Sequence, residues 1–231
     1  MKTVSCIIPA YNEERRIASL LEALTPLLGT FLFEIVIIDD YSNDKTKKII
    51  QNYPNIRIIE HHINTGKSAS VADGLAQATG EYILMLDGDL VGLTPSNIKD
   101  LVLPIMKGLA DISISHRGNT TKWWIKAFGI ETLSGERCFA REFLVSQLAD
   151  IRKLPGYGLE VFMNNLIIEQ HMRIVSVPIN NVTIEFKWQK FGYITGLQKE
   201  FIMWKQIFSV ISFRKFVLQV IRMKRLLVTK V

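Results

Sequence analysis

The clearest signal in this chain is the segment Leu84-Met85-Leu86-Asp87-Gly88-Asp89. It ends an apolar run, residues 82–86, of the kind typical of a strand buried on both faces of a parallel sheet. Two carboxylates separated by one glycine follow at once. Mg²⁺ and Mn²⁺ prefer such oxygen ligands and often bridge to substrate phosphates. Asp87 and Asp89 are therefore predicted to hold one of these ions, the alternative being an ordinary polar turn.

The sequence before this stretch alternates short apolar runs with amphipathic segments. We predict strands at residues 4–8, 34–38, 56–59 and 82–86. The predicted helices between them span residues 13–28, 44–53 and 68–78, and each is followed by Gly or Pro. This alternation predicts an α/β fold, a Rossmann-like, mostly parallel sheet flanked by helices. Ligands of such sheets bind at the carboxyl ends of the strands, where we look for the functional residues.

The first strand leads into a polar loop, Pro9-Ala10-Tyr11-Asn12-Glu13. Pro9 lacks an amide hydrogen and favours departure of the chain from the sheet. Tyr11 offers a ring face to a nucleobase, and Glu13 offers an acceptor to ribose hydroxyls. An ordinary turn into a helix with an acidic first turn explains the same residues equally well.

Adjacent carboxylates, Asp39 and Asp40, end the second strand, where a carboxylate can accept a hydrogen bond from a base or a ribose. Capping of the next helix is the alternative, although Ser42 and its neighbours can provide the cap.

Lys67 follows Gly66 just before a helix. A phosphate-loop motif is excluded, because His61 stands where that motif requires glycine. Lys67 can still attract a diphosphate at a helix N-terminus, and an exposed turn lysine is the alternative.

The charge of the chain is concentrated at its C-terminal end. The formal net charge is +6, yet ten Lys and Arg residues and one acid lie within residues 186–231, which leaves the rest of the chain net acidic. Large apolar residues recur there at helical spacing, as at Phe201, Trp204 and Phe208. We predict two units, a catalytic domain at residues 1–191 and a basic tail of amphipathic helices at residues 192–231. The tail is expected to lie on an anionic membrane surface without crossing it, the alternative being helices packed on the core.

Taken together, the motifs resemble those of family 2 glycosyltransferases, which have the GT-A fold. The pattern is nearest to the polyprenyl- and dolichyl-phosphate sugar transferases. The matching segments run in order through residues 4–190. They are residues 5–14 (SCIIPAYNEE), 37–44 (IIDDYSND), 64–75 (NTGKSASVADGL), 78–90 (ATGEYILMLDGDL) and 134–142 (SGERCFARE).

The resemblance implies a role for each matching position. The nucleoside pocket would be lined by Pro9, Ala10, Tyr11 and Glu13. Asp39 or Asp40 would contact the base, and Lys67 would lie near the base or the diphosphate. Asp87 and Asp89 would hold the diphosphate, Asp89 most directly through the metal.

Two further residues are implied on the acceptor side. Glu160, in Gly-Tyr-Gly-Leu-Glu, resembles the acidic acceptor motif of the family and is a candidate general base. A helix N-terminal glutamate is the equally weighted alternative. Arg117 matches an arginine that follows a strand in polyprenyl-phosphate sugar transferases, where it would help with phosphate charge.

The expected activity is metal-dependent, inverting transfer of a sugar from a UDP- or GDP-sugar to a polyprenyl phosphate or lipid-linked glycan. The alternatives are an inactive sugar-nucleotide binder and a transferase to a soluble sugar or polysaccharide. The start of the chain has no signal-peptide pattern, so we expect a peripheral location on the cytoplasmic face of a membrane. A nicotinamide-dependent oxidoreductase is not expected, because the chain lacks the glycine-rich turn that such enzymes have after the first strand. A nucleic-acid partner is not expected, because three acidic clusters at strand ends would repel phosphate without a metal.

Overall fold

The computed structural model describes residues 2–117, 131–180, 182 and 193–228. Within these residues one sheet contains seven strands. They are β1 (Val4–Ala10), β2 (Glu34–Asp39), β3 (Arg57–Glu60), β4 (Tyr82–Met85), β5 (Ile112–Arg117), β6 (Arg137–Ala140) and β7 (Ile174–Ile179). Their order in the sheet is β3-β2-β1-β4-β6-β5-β7.

All pairings in the sheet are parallel except those of β6, which runs antiparallel to both β4 and β5. The first strand is central and buried along its whole length, as its nearly continuous apolar sequence predicted. The expected mostly parallel sheet is therefore confirmed. The sequence analysis did not predict β6, a four-residue strand that contains a charged residue, Arg137.

Helices cover both faces of the sheet. They are α1 (Ile17–Leu24), α2 (Thr46–Ile50), α3 (Lys67–Gln77), α4 (Pro95–Met106), α5 (Glu142–Val145), α6 (Leu148–Ile151) and α7 (Gly158–Glu169), with a 3₁₀ turn at Thr25–Leu27. The apolar residues of α1 and α4 pack in one core cluster, and those of α3 and α7 pack in the other. The helix predicted from residue 13 begins at Ile17, because Asn12 has a left-handed backbone (φ 56°) and residues 13–16 form a turn.

Small residues let α3 lie close to the sheet. A Cβ atom at Gly74 would approach Ile38 Cδ1 to 2.7 Å. Ser68, Ala69, Ser70 and Ala72 are buried beside it. This close packing on β1 and β2 brings Lys67, the first residue of α3, to the carboxyl ends of those strands.

Two amphipathic helices follow, α8 (Tyr193–Val210) and α9 (Phe213–Arg225). Both contact α7. Their inner faces bury Ile207, Gln219 and Met223, and Ile211 is buried in the link between the two helices. After α9 the chain bonds to Ile174 on the edge strand β7. Among the described residues, no helix combines the length and the apolar character that crossing a bilayer requires. The predicted boundary after residue 191 lies outside the described residues.

Candidate active site

An open cleft of about 270 Å³ lies at the carboxyl ends of β1, β2 and β4. The first strand has β2 on one side and β4 on the other, so the sheet order reverses at this point. Crevices at such reversals are the usual ligand sites of open α/β sheets. The cleft is lined by eight of the predicted residues, together with four that were not predicted. The predicted ones are Pro9, Ala10, Tyr11, Glu13, Asp40, Lys67, Asp87 and Asp89, and the others are Ser70, Gly88, Gly156 and Tyr157.

The Asp87-Gly88-Asp89 triplet turns sharply away from β4. A Cβ atom at Gly88 would lie 3.0 Å from the Pro9 carbonyl oxygen, so glycine fits this close approach. The Asp87 carboxylate lies against Gly135, where a Cβ atom would come within 2.5 Å of Oδ2. Asp89 is half-buried and makes no hydrogen bond or ion pair to any described residue. Asp89 therefore offers its oxygens to the cleft.

Lys67 joins two carboxylates that come from different elements. Its ammonium nitrogen lies 2.6 Å from Asp87 Oδ1 and 2.8 Å from Glu160 Oε1. Burial alone would lower the pKa of Lys67, but these two carboxylates outweigh burial and raise that pKa well above its ordinary value. Lys67 is therefore charged in this arrangement.

The acidic side of the cleft is crowded. Burial raises the pKa of Asp87 to about 6, an effect that Lys67 opposes and the nearby Glu136, Asp89 and Glu160 carboxylates strengthen. Behind them lies the fully buried Arg137, whose pKa burial lowers to about 10 against the opposing influence of Glu160, Glu136 and Asp87. Its guanidinium donates to the carbonyl oxygens of Ser134 and Thr132 and to Asn164 Oδ1, at 2.8–2.9 Å.

These charges fit a divalent cation. Four carboxylates (Asp87, Asp89, Glu136 and Glu160) face two cations (Lys67 and Arg137), which leaves a formal excess of two negative charges. Within the described part of the chain, no group of three His, Cys, Asp or Glu side chains is assembled for a metal. One or two carboxylates completed by substrate phosphates and water is the usual environment of Mg²⁺. The predicted ligands suit such a site.

The loop that follows β2 is hydrogen-bonded to the loop that follows β1. Asn12 donates its amide to Ser42 Oγ at 3.0 Å, and its own side chain accepts from the Asn43 amide at 2.8 Å. Tyr11, which lines the cleft, is 44% exposed, and Tyr41 is 48% exposed. The Glu13 carboxylate accepts a hydrogen bond from Arg16.

The adjacent aspartates have different environments. Asp40 accepts hydrogen bonds from the amides of Thr65 and Gly66, each at 2.8 Å, and contacts His61 Nδ1 at 2.8 Å. Its carboxylate thereby holds the loop that precedes Lys67. Asp39 is buried, and its Oδ1 has no hydrogen-bond partner among the described residues. Asp39 is thus the one of the two with a spare acceptor atom.

Of the two residues predicted on the acceptor side, the structure describes the side chain of Glu160 but not that of Arg117. Glu160 lies in the first turn of α7 and is 1% exposed, and its Oε2 has no hydrogen-bond partner within the described chain. Arg117 is the last residue of β5, but its side chain lies outside the described part of the structure. Arg137 was not predicted as a site residue. The sequence shows Arg137 only as a charged residue inside the motif SGERCFARE, and nothing in that motif indicates a buried strand.

Solved structures confirm the expected fold. A crystal structure of glucosyl-3-phosphoglycerate synthase from Mycobacterium tuberculosis, in complex with Mn²⁺, UDP and phosphoglyceric acid, matches with a TM-score of 0.65. The sequence identity is 23%, and the match covers 80% of this chain and 71% of that chain. At this identity the likeness establishes the GT-A architecture alone.

Sequence relatives point to one family. A dolichyl-phosphate beta-glucosyltransferase from Trichomonas vaginalis is 39% identical over 97 residues, 37% of this chain and 30% of that protein. One from Dictyostelium discoideum is 29% identical over 183 residues, 72% of this chain and 50% of that protein. The chain thus spans half or less of the length of these curated relatives. A family model described as glycosyl transferase family 2 matches residues 5–142, more than half of the chain, and the protein therefore belongs to that family.

Proposed function

We propose that this chain transfers a sugar from a nucleotide-diphosphate sugar, UDP- or GDP-linked, to a lipid-linked phosphate. The observation that carries the proposal is the Lys67 ammonium between Asp87 and Glu160. Next to it lies Asp89, which is half-buried and has no partner among the residues that the structure describes. This arrangement provides a cation and free carboxylate oxygens where α/β sheets bind phosphates. Family membership and the dolichyl-phosphate beta-glucosyltransferases among the relatives support the same reaction class.

The donor would occupy the cleft from the β1 loop to the aspartate triplet. Pro9, Ala10 and Tyr11 would line the nucleoside, Glu13 would accept from ribose hydroxyls, and the base would meet the Asp39-Asp40 pair. A Mg²⁺ or Mn²⁺ ion at Asp87 and Asp89 would supply positive charge to the diphosphate leaving group. Lys67 would add a second positive charge as the bond between sugar and diphosphate breaks.

The burial of Glu160 favours a phosphate acceptor over a hydroxyl acceptor. A hydroxyl needs a general base within reach, whereas an ionised phosphate does not. Glu160 is 1% exposed and already paired with Lys67. Attack would come from the face opposite the leaving diphosphate, with inversion at the anomeric carbon, and Arg117 would balance acceptor charge.

The C-terminal helices would bring the acceptor to the cleft from an anionic membrane surface, which we place on the cytoplasmic face. On their outer side, Phe201 and Phe213 are 71% and 68% exposed, and Arg214 and Lys215 are exposed beside Phe213. Exposed aromatic and basic residues on amphipathic helices suit the interface of anionic lipid. The inner side packs against α7, the helix that carries Glu160.

The reaction is tested with UDP-glucose or GDP-mannose, a polyprenyl phosphate and Mn²⁺. We expect sugar transfer by the wild type and a loss of about 100-fold or more in Asp89→Ala, since a charge that stabilises the leaving group is removed. Asp100→Ala, an exposed acid on α4, is the matched control and should keep full activity. Transfer that persists in Asp89→Ala, or donor binding without transfer by the wild type, would refute the proposal.

A further inference from the structure

The Asp87 carboxylate is contacted by a lysine side chain on one side and by backbone on the other. Its Oδ1 atom is buried, and the Lys67 ammonium nitrogen lies 2.6 Å away. Backbone at Gly135 closes the other side of the same carboxylate. Both aspartates are half-buried, but Asp89 makes no ion pair or hydrogen bond to any residue that the structure describes. The two predicted metal ligands are therefore not equally available, and the group that covers Asp87 is the end of a flexible lysine.

Lys67 holds two carboxylates that would otherwise repel each other. Asp87 and Glu160 both come within 2.8 Å of its ammonium nitrogen, and each raises the pKa of Lys67. A lysine ammonium is a compact point charge on a flexible four-carbon stem. It can therefore neutralise carboxylates that also bind a small metal ion, and the stem allows it to change partners. Gly66, the residue before it, has a positive φ of 87°, and Lys67 itself begins α3 and lines the cleft.

We propose that Lys67 is an exchangeable internal counterion. In the empty cleft it pairs Asp87 with Glu160, and it leaves Asp87 when a diphosphate enters together with a divalent cation. The diphosphate provides the new partner for the ammonium, and Asp87 then joins Asp89 as a metal ligand. This inference rests on the proposed function in one respect, the arrival of a diphosphate. Its main consequence is that metal alone competes with Lys67 and binds weakly.

The first test measures Mn²⁺ binding by electron paramagnetic resonance without any nucleotide. Lys67→Met should bind Mn²⁺ about tenfold more tightly than the wild type or better, because coupling between competing ligands is commonly of this size. Lys67→Arg, which keeps the charge, should stay close to the wild type. Lys107→Met removes an exposed lysine at the far end of α4 and is the matched control. Affinity in a folded Lys67→Met that equals or falls below the wild-type value overturns the proposal.

The second test uses the wild type and does not depend on the folding of a variant. In ¹⁵N-labelled protein, the Lys67 ammonium should give a protected NMR signal in the empty cleft, assigned by its loss in Lys67→Arg. Mg²⁺ alone should leave this signal in place, whereas Mg²⁺ with pyrophosphate should shift or remove it. A Lys67 signal that is unchanged at saturating Mg²⁺-pyrophosphate shows a fixed structural counterion and refutes exchange.

The proposed function and the counterion exchange can be refuted independently of each other. The Mn²⁺ measurement uses metal alone, so it decides the role of Lys67 even if no sugar nucleotide is turned over. Conversely, the wild type could transfer sugar while the wild type and the Lys67 variants bind Mn²⁺ equally well. That result would support the proposed glycosyltransferase activity and refute the counterion exchange.

Discussion

The Lys67 ammonium lies 2.8 Å from the Glu160 carboxylate, although 93 positions separate the two residues in the chain. The contact joins the first turn of α3 to the first turn of α7 across the cleft. Glu160 is thereby engaged with a cation before any acceptor arrives. This pairing bears directly on whether Glu160 removes a proton during sugar transfer.

We expect Glu160→Gln to reduce transfer to a polyprenyl phosphate by less than about tenfold, because general base catalysis contributes about 10²–10⁴ only where a proton must be removed. The measurement is kcat at saturating donor and acceptor. Glu169→Gln, at the exposed far end of α7, is the control for loss of a carboxylate. A fall of more than about 100-fold in kcat with unchanged KM would instead identify Glu160 as the general base.

Asp40 is expected to act mainly on stability. Burial would raise the pKa of its carboxyl, but hydrogen bonds from His61, Thr65 and Gly66 outweigh burial and hold that pKa below its ordinary value of 3.8. A lowered folded-state pKa means that the stabilisation is present above pH 3.8 and is lost as the pH falls through the folded-state pKa. Asp40→Asn should therefore lower the free energy of unfolding by about 1–3 kcal/mol at pH 7.

Urea denaturation at pH 7 and near pH 3 checks this expectation. The difference between wild type and Asp40→Asn should shrink in acid, because protonation removes the same charge that the variant lacks. A difference that stays constant across this range would show that the ionised carboxylate is not what holds the loop before Lys67.

The sequence was sufficient to predict the parallel half of the fold. Strands β1, β2 and β4 are nearly continuous apolar runs, and Gly or Pro follows each predicted helix between them. The aspartate triplet could be placed because it directly follows such a run. Position at the carboxyl ends of neighbouring strands then brings most of the predicted residues into one cleft, although Asp39 is not among those that line it.

The sequence does not indicate which residues far apart in the chain make contact. No local pattern indicates that Lys67 meets Glu160, since the contact depends on how α3 and α7 pack. The antiparallel strand β6 was missed because four residues give no readable periodicity, and Arg137 within it looks like a surface charge. Its burial requires acceptors supplied by the Thr132 and Ser134 carbonyl groups and by Asn164 on α7.

Gly135→Ala should separate metal binding from folding. The added methyl group would overlap the end of the Asp87 side chain, with Cβ 2.5 Å from Oδ2, so the carboxylate must move while the backbone can stay. We expect Mn²⁺ affinity in the presence of pyrophosphate to fall by about tenfold and stability to change by about 1 kcal/mol. Isothermal titration and thermal unfolding measure the two quantities. Unchanged Mn²⁺ affinity would show that Asp87 is not a metal ligand.

The two faces of the C-terminal helices α8 and α9 differ in what they contact. On the inner face Ile207 and Ile211 are buried against Val161 of α7, so this side of the helices supports the core. Phe201 and Phe213 lie on the outer face and are 71% and 68% exposed. Replacing these two residues should therefore leave the fold intact and affect only what the outer face binds.

We expect the Phe201→Ser/Phe213→Ser double variant to bind phosphatidylglycerol vesicles about tenfold more weakly than the wild type, because apolar area that would insert into the interface is lost. Replacing Arg214 and Lys215 by Ser should also weaken binding, and it should reduce the salt dependence, since each basic residue near an anionic surface contributes about 1 kcal/mol. Phe33→Ser is the control, because Phe33 is 56% exposed just before β2, at the opposite end of the strands from the cleft. Vesicle sedimentation measures all three variants. Binding that is equal in the double variant and the wild type would mean that these aromatic residues do not enter the membrane, and the acceptor would then have to reach Asp89 without help from the tail.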